Sequence, residues 1–333
     1  MAKYNEDLLT QNIINMFKDK STKDYAPGST KRDAHPKCLG LLKAYFIVDP
    51  NLDSKYKVGI FKEPKTYSSF IRISNANPKI HDDKKKDFRG FAIKLLNVEG
   101  NKCLDDEKFT QDFLFINNKT MPIGTLKLFH DAIYYTTKSN PIIFGVKLLF
   151  SGRIIGLLGN VIKNMKHDTS PLDVKYFSTT PYMFGEKKVK YCLVPKSKYK
   201  SQLPKEMNPT YLTTNMQKHL KNNEAVFDFM VQFQTNNKEM PINDASVKWD
   251  ENKSPFIKLG EIKIPTQEFT TKERDDLAEV LSFSPGHSLI EHKPIGDINK
   301  ARMLIYKEMS KFRHSRNKQK LFEPDKIFFN QID

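Results

Sequence analysis

"ARMLIYKEMSKFRHSR", residues 301–316, decides how this chain is read. Written as a helix at about 100° per residue, Arg302, Tyr306, Ser310 and Arg313 fall within about 80° of one another. One face of an otherwise ordinary amphipathic helix therefore sets a phenol between two guanidiniums. Two explanations compete. The plain one is a surface ion cluster with Tyr306 packed at its edge. The sharper one is that Tyr306 is held as a phenolate, and a phenolate near neutral pH usually means a metal.

An unperturbed tyrosine ionises near pH 10, so ionising it at neutrality needs an adjacent cation, a metal bond or both. Arg302 lies one turn before Tyr306 and within reach of its oxygen. Arginine suits the part because it stays charged and its planar fork fixes direction. Tyrosinate is one of the few protein ligands used for haem iron.

Around that helix the chain reads as α+β. Short runs rich in aromatic and branched residues predict strands over 41–49, 70–74, 91–98, 112–117, 189–195, 225–235 and 256–265. Turn clusters such as "NANP" and "VEGNK" separate them. Many such strands favour a closed antiparallel barrel. Helical patterns cover 123–165, about 270–281 and 297–318, with Thr270 or Thr271 capping the second and Asp297 the third.

The composition sets outer bounds. With 333 residues, 38% of them hydrophobic and 24 Phe, the chain can bury a sizeable core. Its formal charge of +16 points either to an anionic partner or to a solvated basic surface. No basic–aromatic motif or helix-turn-helix argues for nucleic acid. Cys38, Cys103 and Cys192 are widely spaced, which gives neither a zinc site nor a disulfide framework and fits a reducing, cytoplasmic setting. The first residues do not read as a signal peptide. No apolar run reaches the length of about 18 residues that a membrane span needs. The nearest approach, residues 141–162, is interrupted by Lys147 and Arg153 and reads as a buried or interfacial helical segment with membrane-surface contact.

The stretch 301–316 resembles the haem-ligand helix of the monofunctional haem catalases, Arg-x-x-x-Tyr with a further Arg seven residues on. Other segments carry the resemblance over roughly residues 28–318. "KRDAHPK" (31–37) resembles the distal-histidine segment. "FIRISNA" (70–76) resembles a strand whose Arg binds a propionate and whose Ser orients that histidine. "DFRGFAIKLLNVEGN" (87–101) is close to a further family strand. The length and the stretches around 176–195 and 294–317 are similar to the short catalase-related proteins. The resemblance implies haem b buried between the barrel and a C-terminal helix, with Tyr306 as axial ligand kept ionised by Arg302. It implies propionate binding by Arg32, Arg72 and Arg313. His35 becomes the distal acid–base and Ser74 its orienting partner.

One departure matters. Catalases place an asparagine across the haem from the distal histidine. Here the position falls on Phe109 or Thr110, with Gln111 as the neighbouring amide that would serve instead. That favours a peroxidase with weak catalase activity, acting on hydrogen peroxide or organic hydroperoxides with a small-molecule electron donor. A fatty-acid hydroperoxide-converting enzyme of the allene oxide synthase kind, and a haem-binding protein without turnover, are the alternatives. The expected layout is an N-terminal arm (1–27), a barrel domain (28–320) and a C-terminal tail (321–333), with homo-oligomerisation open. His81, His130, His167, His287, His292 and His314 show no ligand spacing and read as surface or loop residues.

Overall fold

A computed structural model describes residues 5–150, 159 and 164–332. Nine antiparallel strands run in chain order: β1 (Cys38–Val48), β2 (Thr66–Asn75), β3 (Arg89–Leu96), β4 (Thr110–Ile116), β5 (Tyr176–Phe177), β6 (Tyr182–Phe184), β7 (Lys187–Pro195), β8 (Ala225–Phe233) and β9 (Ile257–Ile264). Their spatial order is β5-β4-β3-β2-β1-β9-β8-β7-β6. The two-residue strand β5 pairs with β4 (Ile116↔Phe177) and also with β7 (Tyr176↔Leu193, Phe177↔Cys192). That double pairing closes eight strands into a barrel and leaves β6 as an extra strand on β7. The sequence expectation of an antiparallel barrel with attached helices is met.

Strand alternation fills the barrel. Leu42, Ala44, Phe46 and Val48 of β1 point inward, together with Phe113, Tyr191 and Phe229. The Phe46–Phe229 and Phe113–Phe229 ring centroids are each 5.0 Å apart. An eight-stranded barrel has an interior just wide enough to be filled by side chains, and here those are mostly rings. The odd positions of β1 and the even positions of β2 face out. Leu41 and Phe70 pack there against α5 (Lys272–Val280) and α7 (Lys326–Gln331).

A second apolar cluster joins three helices, α1 (Glu6–Asp24), α2 (Leu126–Thr137) and α6 (Asp297–Arg316). Ala301, Ile305 and Met309 form the buried stripe of α6. The adjacent stripe, one residue further round, carries Arg302, Tyr306, Ser310 and Arg313. This helix is thus anchored on one side by apolar burial, while its polar stripe faces a cavity. Residues 6–24, read from sequence as an arm, are a 19-residue helix that supplies part of this anchor. Helix α4 (Tyr211–Asn222) and strands β5 and β6 were not anticipated either.

Two local expectations change. Thr271 caps α5, its side chain accepting from Arg274 N–H at 3.2 Å, as one of two candidates foresaw. Asp297 does not cap α6. It is the first helical residue, and Gly296 is the N-cap, in the left-handed region at φ 82°. A Cβ on Gly296 would also sit 2.6 Å from the Ile242 carbonyl oxygen. Of the apolar segment 141–162, α3 (Pro141–Phe150) is described. It is not buried: Leu148 is its one buried residue, while Ile142 and Phe150 are 72% and 87% exposed. Residues 151–158 and 160–163 lie outside the described residues. No described helix is long and apolar enough to cross a membrane.

Candidate functional site

One cavity, about 1090 Å³ when counted out to its open mouth, lies between the barrel and α6. Seven of the eight residues singled out from sequence line it: Arg32, His35, Arg72, Ser74, Arg302, Tyr306 and Arg313.

The barrel side holds the histidine. Arg72 and Ser74, two apart on β2, share a face and both reach His35. Arg72 Nη2 donates to the His35 carbonyl at 3.0 Å, and Ser74 Oγ lies 3.0 Å from His35 Nδ1. The His35 backbone sits in the left-handed region at φ 57°, a conformation uncommon for a residue with a Cβ. Gly90, opposite Ser74 in the β2–β3 pairing, makes room for the ring. A Cβ there would lie 2.5 Å from His35 Nδ1 and 2.6 Å from Ser74 Oγ. Burial pushes the His35 pKa down to about 4, and Arg72, Arg302 and Arg32 push in the same direction. His35 is therefore a neutral base at any ordinary pH. With Nδ1 engaged by Ser74, Nε2 is the nitrogen left for proton exchange.

The helix side holds the phenol. Arg302 Nη2 lies 3.5 Å from Tyr306 Oη, and its carbon stands 5.4 Å from the Tyr306 ring centre. Its other amine donates to two neutral oxygens, Thr180 Oγ1 at 2.9 Å and Asn299 Oδ1 at 3.1 Å. Burial opposes the Arg302 charge, but Tyr306 and Tyr182 outweigh it and keep the guanidinium cationic. No carboxylate takes part in these contacts, so the positive field of Arg302 falls on the phenol.

Three more guanidiniums gather where the two sides meet. Arg32 donates to the Ala278 and Leu281 carbonyls at 2.8 and 2.6 Å. Arg313 donates to the Glu279 carbonyl. Arg32 Nη1 lies 3.6 Å from the Glu279 carboxylate. Burial works against that carboxylate, yet Arg32, Arg72, Lys31 and Arg313 together hold its pKa below the usual range. Burial pulls Arg313 down to about 10 and Arg32 well below its ordinary value, the latter helped by repulsion from Arg72 and Arg313. Asp33, the next acid along, is pushed up by burial. Three cations thus share little negative charge. Arg32 Nη1 and Arg72 Nε are buried without a hydrogen-bond partner. Buried, orphaned guanidinium donors beside an open cavity are what an anionic group of a bound molecule would satisfy. The carboxylates of haem fit that demand, and Tyr306 with Arg302 fits its iron.

Gln111 does not join them. Its amide oxygen accepts from Leu289 N–H at 2.8 Å and its nitrogen donates to the Asp112 carbonyl at 3.3 Å, both in the barrel wall. Thr110 Oγ1 is turned to Glu107, and Phe109 is 53% exposed at the surface. The replacement amide read from sequence is absent from the site because Gln111 is committed to Leu289 in the segment before α6. Phe91, Leu114, Phe115 and Ile116 provide apolar wall instead, and no side-chain amide lines the cavity among the described residues.

Three histidines assigned to the surface are buried: His287, His292 and His314. His292 sits among Phe61, Phe113 and Phe184, and its Nε2 accepts from Ile60 N–H at 3.2 Å. Burial pushes its pKa down to about 3. His314 contacts the Ser310 and Val280 carbonyls, both at 2.8 Å. His287 edges the cavity at the centre of an ion cluster. Its Nδ1 lies 2.8 Å from Asp112 and 3.2 Å from Glu107, and its Nε2 is 3.2 Å from Asp106. Glu107, Asp112 and His287 are close enough to share a cation. The cation already there is Lys94, which bridges Glu107 and Asp112, the latter at 2.9 Å. We read the cluster as an ion network paired within itself. Sequence reasoning missed it, and missed Gly90, although the Arg-Gly-Phe of β3 offered a signal for the glycine.

No family model and no curated protein matches this sequence. Solved structures do. A fungal catalase superposes with a TM-score of 0.67 at 19% identity, over 89% of this chain and 61% of that one. A bacterial catalase gives 0.68 at 14% identity, over 92% and 62%. Catalase A from Saccharomyces cerevisiae gives 0.65 at 17% identity, over 92% and 67%. The chain has the catalase fold, in a form that spans about three-fifths of the length of the first two catalase chains.

Proposed function

We propose that this chain binds haem b through Tyr306 and uses it as a peroxidase with weak catalase activity, reducing hydrogen peroxide or organic hydroperoxides at the expense of a small electron donor. The observation that carries the reading is the meeting, in one cavity, of a neutral histidine, an arginine-backed phenol and guanidiniums short of negative charge. Arg32, Arg72 and Arg313 would hold the propionates, and Tyr306 would hold the iron. When bound, the haem iron supplies the redox chemistry that splits the O–O bond.

The protein's own residues handle the rest. His35 Nε2 takes a proton from one peroxide oxygen and returns it to the other as the bond breaks, which is ordinary general acid–base work. Ser74 fixes the ring through Nδ1. Arg302 sets its guanidinium beside Tyr306 Oη, where it would favour negative charge on the oxygen that holds the iron. The apolar wall of Phe91, Leu114, Phe115 and Ile116 keeps bulk water away and accommodates the carbon chain of an organic hydroperoxide. Without an amide beside His35, charge developing on the departing oxygen goes unsupported. Losing one such donor typically slows a step about 10²–10³-fold. Dismutation, which must position a second peroxide, suffers most.

Haem titration of the wild type and Tyr306→Phe tests the reading. The wild type should take up haem and show a high-spin ferric spectrum. Tyr306→Phe should keep the fold by circular dichroism and lose most haem. Full occupancy with an unchanged spectrum in the variant would remove Tyr306 as the ligand. On the loaded wild type, donor oxidation should outpace oxygen release from hydrogen peroxide alone. Oxygen release near the diffusional ceiling of about 10⁸–10⁹ M⁻¹s⁻¹ would make the protein a true catalase.

A further inference from the structure

The seam that closes the barrel carries a second, smaller crevice. Phe177 of β5, Lys190 of β7, and Trp249 and Phe256 from the β8–β9 connection line it, with the Lys119–Glu251 ion pair at its rim. Counted to its mouth it measures about 290 Å³. Lys190 is only 5% exposed, although an ammonium carries three N–H donors. Among the described residues it makes one long hydrogen bond, to the Val247 carbonyl at 3.4 Å, and stands 4.9 Å from the Trp249 ring centre. Trp249 is 2% exposed, and its Nε1 is buried with no partner. The nearby Gln232 amide is taken, donating to the Ser254 and Trp249 carbonyls at 2.8 and 3.4 Å.

Two nine-tenths-buried donor groups therefore share a crevice in which Trp249 Nε1 has no acceptor and the Lys190 ammonium has one long bond for its three N–H groups. Leaving such groups unmatched is unfavourable, and an acceptor shared between them would remove that penalty. We propose that this crevice binds a small monocarboxylate, its oxygens on Lys190 Nζ and Trp249 Nε1 and its short apolar end against Phe177 and Phe256. Glu251 at the rim and the limited volume disfavour a dianion such as phosphate. Burial draws the Lys190 pKa to about 8, with Asp244 opposing, so the amine is still mostly charged at neutral pH. The site is separate from the cavity under α6 but adjoins it. Thr179 lines both, and the next residue, Thr180, accepts from Arg302. A carboxylate bound here rests behind the segment that positions Arg302. The proposal does not depend on haem.

The chain has one tryptophan, so its emission reports this crevice directly. The experiment titrates the full-length protein at pH 7 and constant ionic strength with acetate and propionate, and in parallel with neutral acetamide and with phosphate. Both carboxylates should change Trp249 emission saturably, while acetamide should not and phosphate should bind more weakly. Lys190→Met should weaken acetate at least ~10-fold, the minimum expected for a lost hydrogen bond to a charged partner. Equal affinity in Lys190→Met, an equal response to acetamide, tighter binding of phosphate, or no saturable change would each overturn the assignment. If Lys190→Met fails to fold, the contrast between acetate and acetamide on the wild type decides.

Discussion

Two histidines at the edge of the same cavity are driven in opposite directions. His35 is surrounded by Arg72, Arg302 and Arg32, and its pKa falls to about 4. His287 is surrounded by Glu107, Asp112 and Asp106, and although burial and Lys94 oppose its charge, its pKa rises to about 9. Burial alone would make both neutral. The sign is set by the neighbours. In the His287 cluster every charge faces an opposite one, with Lys94 and His287 set among Glu107, Asp112 and Asp106. The His35 side has cations to spare and guanidinium nitrogens without partners. A cluster paired within itself fixes backbone, here tying β3 and β4 to the segment before α6. An unbalanced one is a place where something anionic binds and protons move.

The contrast breaks if His35 proves dispensable. His35→Ala should leave haem binding intact and slow the reaction with peroxide about 10²–10⁴-fold, measured by stopped-flow on loaded protein. Since only the neutral ring accepts a proton, the wild-type rate should stay level down to about pH 5 and fall as pH drops through about 4. An unchanged first step in the variant takes His35 out of the mechanism.

His287 sharpens the contrast from the other side. A folded-state pKa of about 9, above the ordinary 6.5, stabilises the protein fully below about pH 6.5, and that stability is lost as pH rises through about 9. The shift corresponds to something on the order of 3 kcal/mol. Urea unfolding of the wild type and His287→Gln, at pH 6 and above pH 9, should show the two stabilities converging as pH rises. Parallel curves would mean that His287 is not an imidazolium in the fold.

How much of this was legible in the sequence differs between the two regions. The strands announced themselves by aromatic and branched runs, and α6 by the spacing of Arg302, Tyr306 and Arg313. Both signals are local. The seven cavity residues lie on three separate segments, and only a resemblance could bring those together. Gln111 went astray because its partner, Leu289 N–H, lies 178 residues away. The carboxylates around His287 are as remote, at 175 residues for Asp112 and 181 for Asp106. No local pattern encodes such pairings. Some signals were present but passed over. Asn5 caps α1 by accepting from Leu8 N–H at 3.0 Å, and Leu212, Met216 and Leu220 mark α4 at helical spacing. Strand β5, only two residues long, carries no usable period, yet it closes the barrel.

The smallest expected effect tests whether the His35 pocket depends on shape as well as on charge. Gly90 faces Ser74 across the β2–β3 ladder, and its missing side chain is the space in which the His35 ring meets Ser74 Oγ. A methyl group at 2.5 Å from Nδ1 cannot be accommodated in place, so Gly90→Ala must push the ring off Ser74. The strand itself should tolerate alanine, because Gly90 has no left-handed backbone to preserve. The charges around His35 are untouched, so its low pKa should persist while its aim is lost. Peroxide activation should therefore fall about 10-fold, less than for removal of the ring, with haem occupancy and unfolding midpoint nearly unchanged. A normal rate in Gly90→Ala would mean that the ring can act from a displaced position and that the arginines, rather than Ser74, keep it competent. A loss as large as that of His35→Ala would mean that orientation carries the whole contribution.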